Sequence, residues 1–251
     1  MNINEKVDQL YNQLLPQFQY YINEYSLESI YNFEVKSEIF NSDLFSKNEI
    51  LAINKITNLF EKNDYLKILI SQKILDSEYK LNYYDWIVKK WGKIKNKKSV
   101  EPIKYKKLIE EFYNQLKNDK LRSIYYNGIS SYSKIASFEY LEKYFIYDSR
   151  VAYVLNWMLI KTNEFESFFP IPDGRNTDLA KYYNMNTIIS LLNNSKYLDK
   201  KYTYVLYCKL IIKIYKQLNL SKPYYVEMLL WAIFDEIIEE IKCNVKIVIK
   251  K

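Results

Sequence analysis

Lys134 and Asp148 are the residues of this chain whose types and setting could do chemistry. The segment that holds them, Asn127 to Met158, reads NGISSYSKIASFEYLEKYFIYDSRVAYVLNWM and places one of only three glycines, Gly128, at a turn. Lys134 falls on one amphipathic run. Asp148 stands just before the next, where Val151 and Leu155 recur at helical spacing. An aspartate there is a helix N-cap whose oxygen accepts the amide N–H of Arg150 or Val151. Such bonds keep a carboxylate ionised. A fixed anion at a helix mouth can stabilise positive charge developing on a neighbour. A lysine beside it is either a nucleophile toward an electrophilic carbon or a cation for a phosphate or a core carboxylate. The same residues also make a plain capped helical hairpin, and both readings stand at this point.

The turn has its own chemistry. Leu121 to Tyr126 and Tyr132 to Leu141 read as two short helices flanking Asn127-Gly128-Ile129-Ser130-Ser131. Backbone N–H groups at the mouth of the second helix favour an anion, so Gly128, Ser130 and Ser131 are candidate phosphate contacts. Arg150 is a further candidate, pairing with Asp148 or with phosphate. The chain contains no histidine. That excludes a Ser-His-Asp triad, a histidine metal site and a histidine general base, and leaves carboxylate, lysine, tyrosine, hydroxyl or cysteine to act. Cys208 and Cys243 lie on apolar runs far apart, form neither metal spacing nor a disulfide framework, and are expected to be small buried residues. No metal and no cofactor are expected.

Composition narrows the fold. Of 251 residues, 49% are hydrophobic, while glycine (3) and proline (5) are scarce, which argues against folds built on many tight turns. The expectation is an all-α protein. The N-terminus MNINEKVDQL has no leader character, and no apolar run approaches the ~20 residues of a membrane span, so a cytoplasmic monomer away from membranes is expected. The net charge is +7. From Lys89 to Lys107 nine lysines face the single acid Glu101. Within this block Lys95, Lys97 and Lys98 are candidate phosphate contacts, and a solvated linker explains the same residues.

Helical spacing recurs along the chain. Leu10, Leu14, Leu15, Phe18 and Tyr21 mark a first run that Pro16 is expected to kink or split. Ser46 and Glu49 have capping-box spacing ahead of Ile50, Ile53, Ile56 and Phe60. Runs over Tyr65 to Leu75 and Tyr83 to Trp91 follow, and Pro102 suits the first turn of the next helix. Phe168 to Asn176 reads as an ordered loop, in which Arg175 could reach a phosphate or a base edge. Helices are expected over Thr177 to Leu192, Lys200 to Leu218 and Pro223 to Lys242, with NVKIVIKK as a short strand or a tail. Glu227, within an apolar run, is a candidate buried partner for a lysine or arginine.

Taken together, Gly128-Ile129 in a turn, Ser133-Lys134-Ile135-Ala136 in the following helix, and Asp148-Ser149-Arg150-Val151 with Leu155 resemble the helix-hairpin-helix DNA glycosylase superfamily. The likeness is greatest to its divergent bacterial 8-oxoguanine-glycosylase-like branch and covers about 35 of the 251 residues. The turn departs from the family pattern, with Ser130-Ser131 where a second glycine is usual, and the interval from Lys134 to Asp148 is shorter than in the bifunctional enzymes.

The resemblance implies a two-lobed helical bundle, with residues 64–161 as the hairpin lobe and 1–63 and 162–251 as the other. It implies an enzyme that cleaves the N-glycosidic bond of a flipped, damaged or modified base in double-stranded DNA, in base excision repair or anti-phage defence. Asp148 would stabilise the sugar cation, and Lys134 would be the nucleophile of a bifunctional enzyme. A flipped base needs an apolar or aromatic pocket, for which Trp86, Tyr132 and Trp157 are the candidates. Two other readings remain: a non-catalytic DNA-binding module in which Asp148 only caps, and a helical interaction protein.

Overall fold

Few residues in this chain interrupt a helix, and helices form wherever a cap precedes an apolar stripe. The computed structural model describes residues 2–40, 43–76, 80–94, 102–163, 166–173, 184–192 and 196–245. In chain order the helices are α1 (Ile3–Glu24), α2 (Leu27–Ile30), α3 (Lys47–Lys55), α4 (Leu59–Asp76), α5 (Lys80–Asp85), α6 (Pro102–Lys117), α7 (Ser123–Asn127), α8 (Ile129–Glu139), α9 (Ser149–Thr162), α10 (Met185–Ser190), α11 (Lys200–Leu218), α12 (Tyr224–Ala232) and α13 (Phe234–Asn244). The protein is all-α: no strand occurs among the described residues, and Phe168 with Tyr197 makes one isolated parallel bridge. No described helix is long and apolar enough to cross a membrane.

Local signals explain most boundaries. Ser46 and Glu49 form the expected capping box on α3, with both reciprocal bonds present. Asn184 caps α10 through the amides of Asn186 and Thr187, and Asp199 caps α11 through that of Lys201. A split at Pro16 and a single helix from Pro223 are not found. α1 runs unbroken through Pro16, because the helix buries Val7, Leu10, Leu14, Phe18 and Tyr21 on one face and that packing outweighs the lost backbone bond. The run from Pro223 is two helices, α12 and α13, divided at Ile233. α5 continues into a π-helical segment, Trp86–Trp91, closed by Gly92 N–H donating to the Ile87 carbonyl at 2.8 Å.

Two apolar cores result. The first gathers α1, α9, α11, α12 and α13 around Val151, Val154, Leu155 and Met158. The second gathers α4, the π segment and the Val35–Phe45 stretch around Leu66, Ile70, Ile87 and Val88. α8 serves both: Ile129 and Ala136 pack into the first, Ile135 and Phe138 into the second. α9 is buried from Val151 through Leu159 and needs the complete shell of the first core, whereas Val35, Phe40, Leu44, Phe45 and Ile53 close over α4 and belong to the second.

Candidate active site

Asp148 caps α9 as its position predicts. Its Oδ1 accepts the amides of Arg150 at 3.1 Å and Val151 at 3.2 Å. Its Oδ2 accepts the Lys134 ammonium at 3.1 Å. Each oxygen thus has a separate task, one holding the helix and one holding the lysine. Both side chains are largely covered, Lys134 at 9% and Asp148 at 17% exposure. Burial pushes the Asp148 carboxyl up, but the Lys134 ammonium, the Val151 N–H and the Arg150 charge outweigh it and leave the group below the ordinary carboxylate range. Asp148 is a fixed anion at neutral pH.

The three residues that lead into Asp148 are clamped on every side. The Phe145 carbonyl accepts the Tyr204 hydroxyl at 3.1 Å and the Ile146 carbonyl accepts that of Tyr207 at 2.8 Å. The Ile146 N–H donates to Glu227 Oε2 at 3.0 Å, and the Tyr147 N–H donates to Ser133 Oγ at 3.0 Å. Buried backbone groups must find partners, and here α8, α11 and α12 supply them. A segment held this way cannot drift, so the carboxylate beyond it is preorganised.

Glycine makes room for the lysine. A Cβ on Gly92 would stand 3.0 Å from Lys134 Cδ and 2.9 Å from the Ile87 carbonyl oxygen. The end of the π segment therefore lies directly against the lysine stem, and π-helical turns of this kind gather at functional sites.

The pair opens on a cavity of about 540 Å³ whose wall includes Phe33, Trp91 and Trp231. Phe33 sits between the two indoles, 4.8 Å from Trp91 and 5.1 Å, edge-on, from Trp231. Arg150 lies over the Trp231 ring at 4.6 Å and the Phe234 ring at 4.8 Å. Asn32, Glu34, Lys93, Ser149, Glu227 and Asp235 complete the polar lining. The volume falls in the range of small-molecule sites, but the lining is mostly polar, with seven acidic or basic side chains around the rings of Phe33, Trp91 and Trp231. The arrangement places a fixed anion and an ammonium side by side at the wall of a recess large enough for a small molecule.

Of the residues expected to act, the structure brings together Lys134, Asp148 and Arg150. The expected base-stacking aromatics lie elsewhere. Trp86 donates its indole N–H to the Ile39 carbonyl and packs on Phe40 and Phe45, Tyr132 stacks on Phe112, and Trp157 bonds Glu240. Each is held by core partners; so is Trp91, whose indole N–H donates to Asn63 Oδ1, but Trp91 also lines the cavity with Phe33 and Trp231. Gly128 joins α7 to α8 where a Cβ would come within 2.8 Å of the Tyr132 ring. Its carbonyl accepts the Ser131 and Tyr132 amides, so Gly128, Ser130 and Ser131 build the start of α8 and do not line this cavity. Lys95, Lys97, Lys98 and Arg175 lie outside the described residues. Cys208 is buried as expected, but Cys243 is exposed, because it sits between Lys242 and Asn244 on the solvent face of α13.

A larger recess of about 700 Å³ lies between α5, α6 and the end of α8. Its buried carboxylate, Glu139, already receives Lys80, Tyr84 and Tyr113, the last at 2.7 Å, so its acceptors are engaged within the protein. No group of three or more metal-ligating side chains occurs among the described residues. Compared with family models, with curated proteins and with solved structures, the chain matches none.

Proposed function

We propose that the protein is a DNA N-glycosylase with a two-lobed, helix-hairpin-helix arrangement in which the aromatic cavity receives a flipped base. The observation that carries this reading is the Lys134–Asp148 pair at the mouth of α9, facing a cavity walled by Phe33, Trp91 and Trp231. The helix–Gly128–helix element of α7 and α8, followed by a capped α9, supports the same reading.

A base entering the cavity stacks on the aromatic wall, a sequence-tolerant interaction worth about 1–3 kcal/mol per base. Its sugar then lies at the mouth of α9. As the bond from the sugar's C1′ to the base breaks, the base leaves with the electron pair and C1′ becomes cationic. Asp148, already ionised and already desolvated, offsets that charge without reorganising. Water adds to C1′ and releases a proton, leaving an abasic sugar. Lys134 neutralises Asp148 before the substrate arrives; acting as nucleophile, its amine would first have to shed a proton.

A second reading has support from the same pair. With the lysine 3.1 Å from Oδ2, Asp148 could serve only as a cap and Lys134 only as its counter-ion, in a helical DNA-binding module. Incubation with duplexes holding uracil, 8-oxoguanine, an alkylated purine or a modified cytosine, followed by detection of abasic sites, separates the two. The glycosylase reading expects release from at least one duplex and a fall of roughly 10²–10³-fold in Asp148→Asn. Binding of every duplex with release from none supports the module, and release that survives Asp148→Asn removes Asp148 from the chemistry.

A further inference from the structure

Behind the Lys134–Asp148 pair lies a second, deeper one. Lys67 Nζ of α4 is 3.4 Å from Glu227 Oε2 of α12, with the two side chains only 1% and 4% exposed. Lys67 also reaches Ser137 Oγ of α8 at 3.4 Å and lies over the rings of Phe138 and Tyr224. A pair so deeply buried is a poor device for stability, since desolvation consumes most of its attraction and an apolar replacement is often as stable or more so. Its placement suggests another use. The oxygen that binds Lys67 also takes the Ile146 amide, two residues before Asp148, at 3.0 Å. Glu227 lines the cavity with Lys134 and Asp148. Lys67 comes from an element of the second core and Glu227 from one of the first.

We infer that Glu227 is a positioning residue for Asp148. By holding the Ile146 amide, and by being held itself by Lys67, it fixes the segment that sets where the Asp148 carboxylate sits. It acts through Asp148 and touches no reacting atom. This inference rests on the glycosylase reading for its effect on rate, while the positioning itself has a readout that does not depend on catalysis. Burial favours the neutral forms on both sides of the pair, raising Glu227 and lowering Lys67, and the Asp148 charge raises Glu227 further. The carboxylate therefore stays in place because Lys67 and the Ile146 amide compensate its charge.

Two double variants isolate the anchor. Lys67→Met with Glu227→Gln removes both charges and keeps an oxygen for the Ile146 amide. Lys67→Met with Glu227→Leu removes the charges and the oxygen together. Single-turnover base release and duplex binding are measured on the duplex panel, and amide hydrogen exchange at Arg150 and Val151 reports whether the cap on α9 persists. The Gln double variant should release base within about threefold of wild type and keep both amides protected. The Leu double variant should bind duplex normally, lose roughly 10²-fold in release, as misplacement by about 1 Å can do, and expose both amides. Equal behaviour of the two variants, with release and protection as in wild type, makes the pair merely structural and overturns the inference. Loss of both in a folded Gln variant shows that charge and not the anchor matters, and overturns it too. Should the Leu variant fail to fold, Lys67→Met with Glu227→Met, which also lacks the oxygen, takes its place under the same criterion. If wild type releases no base, the glycosylase reading falls, and the protection of Arg150 and Val151 still decides the positioning.

Discussion

Gly92 and Lys134 are in contact across the two halves of the site: the lysine stem occupies the space a side chain on Gly92 would need, 3.0 Å from its would-be Cβ. The two residues belong to different elements, the end of the π segment and the middle of α8, so a side chain added at Gly92 presses on the lysine stem.

Gly92→Ala is therefore expected to disturb the site. The new methyl would also meet the Ile87 and Val88 carbonyl oxygens at 2.9 and 3.0 Å, and backbone cannot yield as a flexible side chain can. The substitution should cost about 1–3 kcal/mol in urea unfolding and displace Lys134 from Asp148. A variant with unchanged midpoint and unchanged base release would show that the contact is loose.

Two of the cavity carboxyls, Asp148 and Glu227, should shape acid stability in opposite directions. Asp148 has a folded pKa below its unfolded value, so the stability it contributes is present above about pH 4 and is lost as pH falls through its folded value. Glu227 has a folded pKa above its unfolded value, so it costs stability as pH rises from about 4.3 through its folded value, and protonation in that window relieves the cost. Thermal midpoints measured from pH 7 down to pH 2.5 should fall less steeply below pH 4 in Asp148→Asn than in wild type. In Glu227→Gln the relief between about pH 4.3 and neutrality should vanish. Parallel curves for all three proteins would remove both groups from the pH dependence.

Arg150 is held by stacking as well as by charge, over Trp231 at 4.6 Å and Phe234 at 4.8 Å. Lysine keeps the charge and loses the planar stack, worth about 0.5–1 kcal/mol at a partly open site. Arg150→Lys should weaken binding of an abasic-site duplex by roughly two- to fivefold, with the slope against salt unchanged, since the number of cations is the same. Fluorescence anisotropy at two salt concentrations measures both quantities. An altered slope with unaltered affinity would contradict the stacked geometry.

The cysteines should differ sharply in reactivity. Burial pushes the Cys208 thiol up to about 12, against the pull of the Phe145 amide and the Tyr204 hydroxyl, whereas Cys243 is open to solvent. A thiol-reactive disulfide reagent should titrate a single thiol in the native protein and two after unfolding. Cys243→Ser should leave none accessible, and rapid reaction of both native thiols would contradict the packing around Cys208.

The parts of the site visible in the sequence are those governed by near neighbours. Asp148 could be read as a cap because the cap and the stripe it serves are within one turn, and the Ser46–Glu49 box was visible for the same reason. Glu227 stood out as a carboxylate in an apolar run, and Lys67 is the partner that run required. The aromatic wall could not be read this way. Phe33, Trp91 and Trp231 come from three distant stretches and meet only when both cores have formed. Tyr132 and Trp157 are nearer Asp148 in the chain than any of these, yet each already has a core partner, as does Trp86, and closeness in sequence says little about closeness in a packed interior. Pro16 does not split α1, because a proline removes one backbone bond while the face it interrupts buries five residues.

α8 gives alternate faces to the two cores, Ile129 and Ala136 to one, Ile135 and Phe138 to the other. Neither half of the molecule owns it, so neither can be cut away with its interior intact. Heat or denaturant should thus take the chain apart in one cooperative step, and the cavity with it.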